Sequence, residues 1–345
     1  MAEGSSEWMS ATTSRTCPPS NELHWSDGDD SDCSLSTAVE DEESVEDEKP
    51  KDEDGAGNIP SAGDLEPWRP VSVAGRFKRR INSWRKCRML GKGSYGDVFE
   101  VITDDGSYFA VKEISLSDHT DRSLGQLEQE ISLLGQFEHE NIVQYIGTDK
   151  DNEKLYIFLE IMTKGSLATL YRNHSLIESQ VSAYTRQILN GLKYLHDKKV
   201  IHRDIKCANI LVDASGSVKL ADFGWAKATD MNAAKSLKGT LLWTAPEVFK
   251  NVNDGSYGLA ADIWSLGCTV LEMLTRRGQY SDFEPQEQAL EKIRKGEPPS
   301  LPKYLSKDAR DFIRRCLRRN PKNRPSAALL LDHPFVMKPP AFGFA

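Results

Sequence analysis

The run His202-Arg203-Asp204-Ile205-Lys206-Cys207-Ala208-Asn209 places charged and polar groups between two apolar pieces, Val200-Ile201 and Ile210-Leu211-Val212. Carrying such groups into a core costs on the order of several kcal/mol each unless they are paired or hydrogen-bonded. Further along, Asp222-Phe223-Gly224 adds a second carboxylate. Two carboxylates, a lysine and an amide gathered at one point suit phosphoryl transfer, where a protein mainly positions groups and stabilises charge. In that chemistry Asp204 accepts the proton of a substrate hydroxyl and orients it, while Lys206 neutralises the γ-phosphate. Asn209 and Asp222 are oxygen donors of the kind Mg²⁺ takes together with phosphates.

A second stretch points to the same chemistry. Leu90-Gly91-Lys92-Gly93-Ser94-Tyr95-Gly96-Asp97-Val98 contains the pattern G-x-G-x-x-G-x-V, and glycines let a backbone approach phosphates closely. A dinucleotide fingerprint needs a helix after its glycines, yet the strand-like "DVFEVI" follows here. A Walker loop needs Gly-Lys-Ser/Thr at its end, and Gly96 precedes Asp97. What is left is a flap over a nucleotide. In "YFAVKEI" alternation puts Tyr108, Ala110 and Lys112 on one face and Phe109, Val111 and Glu113 on the other. Small Ala110 beside Lys112 leaves room for a flat ring. Glu130, next to the helical packing stripe Leu127, Ile131 and Leu134, is the expected ion-pair partner of Lys112.

The elements that must position these groups fall into two sets. Between about 85 and 161 strand patterns dominate: "VFEVIT" and "SYFAVKEI" flank the turn Asp104-Asp105-Gly106, and "KLYIFLEI" reads as a buried strand. From about 166 onward helices dominate. Val181, Tyr184, Ile188, Leu192 and Leu195 form one stripe, and "ADIWSLGCTVLEML" is apolar nearly all round, the mark of a central buried helix. The fold class is α+β: a small β-rich lobe followed by a larger helical lobe.

Charge is spread unevenly over the 345 residues. Residues 1–66 carry 19 Asp and Glu against Arg15, Lys49 and Lys51, a net of −16, which leaves +8 on the remainder. A segment such as "EDEESVEDEKPKDED" buries too little apolar surface to offset its ordering entropy and is expected to be a disordered tail. Residues 67–83, with Arg76, Lys78, Arg79 and Arg80, read as a basic linker, solvated or used for docking. The domain proper is expected at 84–336, with a short tail at 337–345. The six cysteines show no CxxC spacing, so neither a metal site nor a disulfide framework is expected. With no secretory signal and no long apolar run, the expected place is the cytoplasm, with the nucleus open as well; no membrane span and no nucleic-acid partner is expected.

Taken in order, GKGSYGDV, AVK, a helical Glu, HRDIKCAN, DFG and Ala245-Pro246-Glu247 resemble the signature of the protein kinases over about 84–336. That resemblance implies ATP as substrate with Mg²⁺. It implies Leu159 as gatekeeper beside the adenine, backbone hydrogen bonds from Glu160 and Met162 to the base, and Val98, Ala110 and Leu211 around the ring. It further implies a Glu247–Arg324 pair and an Asp262 that anchors the catalytic-loop backbone. Lys206 and Thr240 resemble serine/threonine kinases. The segments "LYIFLEIMTKGSLATLY" and "YTRQILNGLKYLHDKKVIHRDIKCANILVDASG" are similar to the MEKK group of plant mitogen-activated protein (MAP) kinase kinase kinases. The substrate so implied is the activation loop of a MAP kinase kinase.

Departures from that group fall near the peptide-binding segment: Trp225 after DFG, Leu241-Leu242 and Thr244 in "GTLLWTAPE", and Gln279 before "YSD". They bear on substrate preference, and a bulky Trp225 goes with serine as acceptor. Two other readings stand beside this one, a STE20-like kinase acting one tier higher and a pseudokinase scaffold. The scaffold would lack Lys112, Asp204 or Asp222, and all three are present. Activation, by an upstream kinase or by autophosphorylation, is expected at Ser236 or Thr229, where added charge can recruit Arg203.

Overall fold

The computed structural model describes residues 66–72, 75–93, 96–117, 131–132, 134–222, 240–250, 258–277 and 286–337. Ser94, Tyr95, Leu127, Glu130, Phe223, Gly224, Trp225, Thr229, Ser236 and Gln279 lie outside the described residues, as do residues 1–65 and 338–345 of the two tails.

Alternating strands can bury one face only, so the β-rich half folds as a single antiparallel sheet. Its strands are β1 (Arg69–Pro70), β2 (Arg76–Phe77), β3 (Ser83–Gly93), β4 (Gly96–Thr103), β5 (Tyr108–Ser115), β6 (Tyr145–Lys150) and β7 (Lys154–Leu159), in the order β1-β3-β4-β5-β7-β6-β2. The hairpin expected at Asp104-Asp105-Gly106 joins β4 to β5, with Gly106 at φ +82° and its N–H on the Thr103 carbonyl at 2.8 Å. Phe109 and Val111 pack with Ile81, Trp84, Val101, Tyr156 and Phe158 on the back of the sheet. Lys112 and Ala110 take the opposite face, as the alternation requires.

The segment read as a basic linker is instead part of this sheet. Strand β1 pairs with β3, Arg69 opposite Trp84, and β2 pairs with β6, Phe77 opposite Gly147. Residues 66–72 and 75–82 thus form a strap, the first part on one sheet edge and the second on the other. Val71 and Phe77 pack on the apolar back cluster, and the Phe77 ring meets Phe158 edge-on at 4.9 Å between centroids. Gly147 permits that approach, since a Cβ there would stand 2.6 Å from the Arg76 carbonyl oxygen. The basic residues are engaged locally: Arg79 with Asp105 at 2.5 Å and over the Phe109 ring, Lys78 with Glu138 at 3.6 Å.

The helical half is built around α4 (Ala260–Thr275), buried from Ala261 to Met273. Around it lie α1 (Leu167–Asn173), α2 (Glu178–Asp197), α3 (Pro246–Lys250), α5 (Gln286–Lys295), α6 (Lys307–Cys316), α7 (Ala327–Leu331) and α8 (Pro334–Met337). The expected stripe of α2 is inward: Val181, Ile188, Leu192 and Leu195 are buried and Tyr184 half-buried. A small hairpin of β8 (Ile210–Val212) and β9 (Val218–Leu220) lies beside the segment leading into β6, where Val143 N–H reaches the Leu220 carbonyl at 2.9 Å. Among the described residues no helix is long and apolar enough to cross a membrane.

Phe77→Ala removes the ring that fastens β2. Because Phe77 is half-buried, the expected loss is about 2 kcal/mol, below the ~3–5 kcal/mol of a fully buried phenylalanine. Thermal unfolding of the full chain checks it, and an unchanged Tm would show that the strap adds nothing to the sheet.

Candidate active site

The residues of the catalytic run are held from below by one carboxylate. Asp262, in the first turn of α4 and almost fully buried, accepts the backbone N–H groups of His202 and Arg203, each at 2.9 Å, and the His196 ring Nε2 lies 2.9 Å from its Oδ2. Two consecutive N–H groups aimed at one acceptor require a sharp bend, and Arg203 accordingly sits at φ +72°. Burial pushes the His202 ring below its ordinary value, so it is held neutral; its Nδ1 accepts the Asp204 N–H at 3.3 Å. The loop backbone is therefore fixed before any side chain is considered.

On that backbone Asp204, Lys206 and Asn209 come together. Asn209 Nδ2 donates to Asp204 Oδ2 at 2.7 Å and to the Asp204 carbonyl at 3.0 Å, and Lys206 Nζ lies 3.2 Å from Oδ2. Asp204 is 5 % exposed. With both amide hydrogens turned onto Asp204, the Asn209 oxygen is directed away from that carboxylate. Asp222, at φ +52°, follows β9 and stands against the sheet-borne lysine: Lys112 Nζ donates to Asp222 Oδ1 at 2.6 Å. The expected partner Glu130 lies outside the described residues; among the described residues Lys112 meets the second carboxylate, Asp222.

The same donor set fits a hard divalent ion. Asn209 and Asp222 offer one oxygen-bearing group each, and among the described residues no cluster of three or more His, Cys, Asp or Glu could hold a metal alone. Mg²⁺ takes few protein ligands and completes its shell with water and phosphate oxygens, so this sparse pair is suited to an ion that arrives with a nucleotide.

Above the loop, the strands arrange the groups expected around a base. Ala110 pairs with Leu159 across β5 and β7, and Val98 lies opposite Lys112 across β4 and β5. Leu211 bridges to Ser166, and Val212 N–H reaches the Gly165 carbonyl at 2.8 Å, which fixes β8 beneath the segment after β7. The Glu160 side chain turns away to Lys219, whose Nζ is 2.8 Å from both oxygens, and takes the Gln144 N–H at 2.6 Å. Its main chain is thereby oriented, and the Met162 carbonyl accepts the Gly165 N–H at 3.3 Å. Leu90, Gly91, Lys92 and Gly93 end β3, while Gly96, Asp97 and Val98 begin β4, with Lys92 opposite Asp97 and Gly93 opposite Gly96. Gly96 needs its hydrogen side chain: at φ +143° a Cβ would fall 1.8 Å from the Glu113 carbonyl oxygen.

Two supports of the site also match expectation. Arg324 donates to both Glu247 oxygens, at 2.5 and 2.8 Å, and Asp262 holds the loop as described. Sequence reading missed Glu272. Within α4 it accepts Tyr171 O–H at 2.8 Å, Trp243 Nε1–H at 3.0 Å and the Cys207 N–H at 3.4 Å. A glutamate inside the apolar run "CTVLEML" was the available signal. Lys219, the clamp on Glu160, was missed as well.

Comparison with known proteins agrees with this geometry. A family model described as the protein kinase domain matches residues 84–336. The chain is 59% identical over 262 residues to mitogen-activated protein kinase kinase kinase 1 of Arabidopsis thaliana, covering 75% of this chain and 43% of that protein. It is 56% identical over 260 residues to mitogen-activated protein kinase kinase kinase 3 of the same plant, at 74% and 46% coverage. It is 50% identical over 266 residues to mitogen-activated protein kinase kinase kinase 1b of Physcomitrium patens, at 76% and 34%. The chain spans less than half the length of these relatives. A family match over most of the sequence, on a loop whose carboxylate, lysine and amide already converge, leads to one statement: this chain belongs to the protein kinase family.

Proposed function

We propose that this chain is an ATP-dependent serine/threonine protein kinase of the MAP kinase kinase kinase tier, transferring phosphate to the activation loop of a MAP kinase kinase. The observation that carries the chemistry is Asp204, buried at the loop's turn and flanked by Lys206 and Asn209. The tier is supported by relatives of 50–59% identity bearing that name over the same three quarters of the chain.

Protein kinases take ATP as substrate, usually with Mg²⁺. When bound, the ion offsets charge on the phosphate oxygens; the chain's own residues do the rest. Asp204 orients the incoming serine or threonine hydroxyl and takes its proton as the new O–P bond forms. Lys206 carries positive charge to the transferring phosphoryl group. Lys112, held over the cleft by β5, presents its ammonium to phosphate oxygens from the sheet side. Asp222 and Asn209 would hold the ion between them. Each group is set by a rigid element, which keeps reorganisation during transfer small.

Glu272 links this centre to the substrate side. It joins Cys207 of the loop to Trp243, just before Ala245-Pro246-Glu247. Burial pushes its carboxyl above the ordinary value near 4.5, outweighing the donors that pull the other way. The raised affinity means the folded chain keeps this proton to higher pH than the unfolded chain does. The resulting stability is full below about pH 4.5 and is lost as pH rises through the raised value.

Three outcomes follow. Asp204→Asn lowers turnover by on the order of 10²–10⁴ with ATP affinity retained, since the amide cannot take the proton; steady-state kinetics and nucleotide titration on the full chain check both. Radiolabelled phosphate passes from ATP to a purified MAP kinase kinase and not to a purified MAP kinase kinase kinase; transfer to the latter instead would move the chain one tier up. Glu272→Gln folds, because the Tyr171 hydroxyl can turn to accept from the new amide while the amide oxygen serves Trp243. The wild-type stability relative to this variant then falls as pH rises above about 4.5. A difference that stays flat with pH would show Glu272 titrating in its ordinary range.

A further inference from the structure

The strap over the back of the sheet is fixed at its middle by one serine. Ser72 lies between β1 and β2, and its hydroxyl donates to Asp149 Oδ1 at 2.5 Å. Its backbone N–H reaches the same oxygen at 3.0 Å. Asp149 in β6 is 4 % exposed and cannot step aside: Oδ2 accepts the indole N–H of the fully buried Trp84 at 3.1 Å, and Oδ1 also takes the Lys150 N–H at 2.9 Å. A turn closed by Gly75 N–H on the Ser72 carbonyl at 2.9 Å holds the serine in place. On either side the strap pairs through strands of two residues each. Its hold therefore depends heavily on a hydroxyl pressed against a buried carboxylate.

We propose that Ser72 is a phosphorylation site, and that its modification releases β1 and β2 from the sheet. In the transfer Ser72 Oγ bonds to the γ-phosphorus of ATP and the bond from that phosphorus to the β–γ bridging oxygen breaks. ADP leaves with the electron pair, and the hydroxyl proton passes to the catalytic carboxylate of the modifying kinase. A group carrying nearly two negative charges then replaces the hydrogen that faced Asp149. Two anions side by side against a buried carboxylate repel, and Oδ1 loses its hydroxyl donor while keeping only the two backbone N–H groups. The carboxylate is fixed by Trp84 and Lys150, so the strap is the part that moves.

The surrounding sequence states which kinases can write this mark. Arg69 stands three residues before Ser72, and Arg76, Lys78, Arg79 and Arg80 follow it. That is an acceptor for a kinase whose cleft is acidic and reads basic residues beside the serine. In the closed strap Arg69 is occupied, donating to the Tyr156 hydroxyl at 3.0 Å and to Glu66 at 3.1 Å. Arginine and serine are thus offered together in the open form only, and the phosphate then prevents reclosure: modification captures a minor population.

The test uses the full chain with phosphoserine incorporated at position 72. Amide hydrogen exchange is read at Val71 and Lys78, whose N–H groups reach Asn82 O at 2.8 Å and Ile146 O at 2.9 Å in the closed strap. Both should exchange at least about tenfold faster in the phosphoserine chain. Asp149→Asn in that same chain should recover part of the protection, because it removes the opposing charge. In a second arm, wild-type chain and Phe77→Ala are incubated with ATP and a kinase requiring arginine three residues before its acceptor, and Ser72 is followed by mass spectrometry. The loosened variant should be modified faster. Unchanged exchange in the phosphoserine chain overturns the release, and an unmodified Ser72 in Phe77→Ala overturns the site.

Discussion

The buried carboxylate of Asp262 is the interaction on which the active centre depends. It turns the His202–Arg203 backbone by accepting two adjacent N–H groups, and it does so from inside the helical core. A carboxylate at that depth is tolerable only because three donors surround it, the third from His196. The bend it imposes puts Arg203 in left-handed backbone space and sets where Asp204 begins. Asp204, Lys206 and Asn209 inherit their positions from that bend.

Asp262 is one member of a polar row on an otherwise apolar helix. Asp262, Ser265, Thr269 and Glu272 recur at helical spacing along one face of α4. Ser265 Oγ donates to the Trp243 carbonyl at 2.8 Å, Thr269 Oγ1 to the Ile205 carbonyl at 3.4 Å, and Glu272 accepts from Cys207 and Trp243. The row runs beneath the loop from His202 to Cys207 and reaches the segment before Pro246. Apolar residues elsewhere on α4 supply the burial, and this row supplies direction, so that one helix both anchors the fold and aligns the chemistry. Arg324, with its guanidinium over Trp264 and its fork on Glu247, ties the end of that segment to the same helix.

Much of this was legible in the sequence. Loop motifs name their residues outright, the alternation in "YFAVKEI" assigned Lys112 and Phe109 to opposite faces correctly, and the α2 stripe marked its buried side. What escaped has physical causes. Strands β1 and β2 have two residues each, too short for alternation to register, and they lie among Pro and Gly that signal turns. Their order comes from tertiary contacts, Phe77 on Phe158 and Ser72 on Asp149, which no local pattern encodes. Glu272 was masked by the apolar run around it, since hydropathy averages over a window and a single buried acid hardly alters it. The contact between Lys112 and Asp222 joins residues far apart in the chain, and spacing carries no information about such a meeting.

The strap also bears on how such a chain keeps to itself. Without β1 and β2 the sheet would begin at β3 and end at β6, two strands with backbone N–H and C=O groups open along one side. Open edges of that sort are templates on which another molecule's strand can add, and sheet proteins commonly blunt them with charge, proline or a covering segment. Here a single stretch covers part of both, with Pro70 on one edge and Arg76 on the other. The family boundary at residue 84 falls after this cover. A domain cut there keeps Lys112, Asp204, Asn209 and Asp222 and gives up the two edge guards, so the segment before residue 84 bears on the sheet's edges and not on the residues of the cleft.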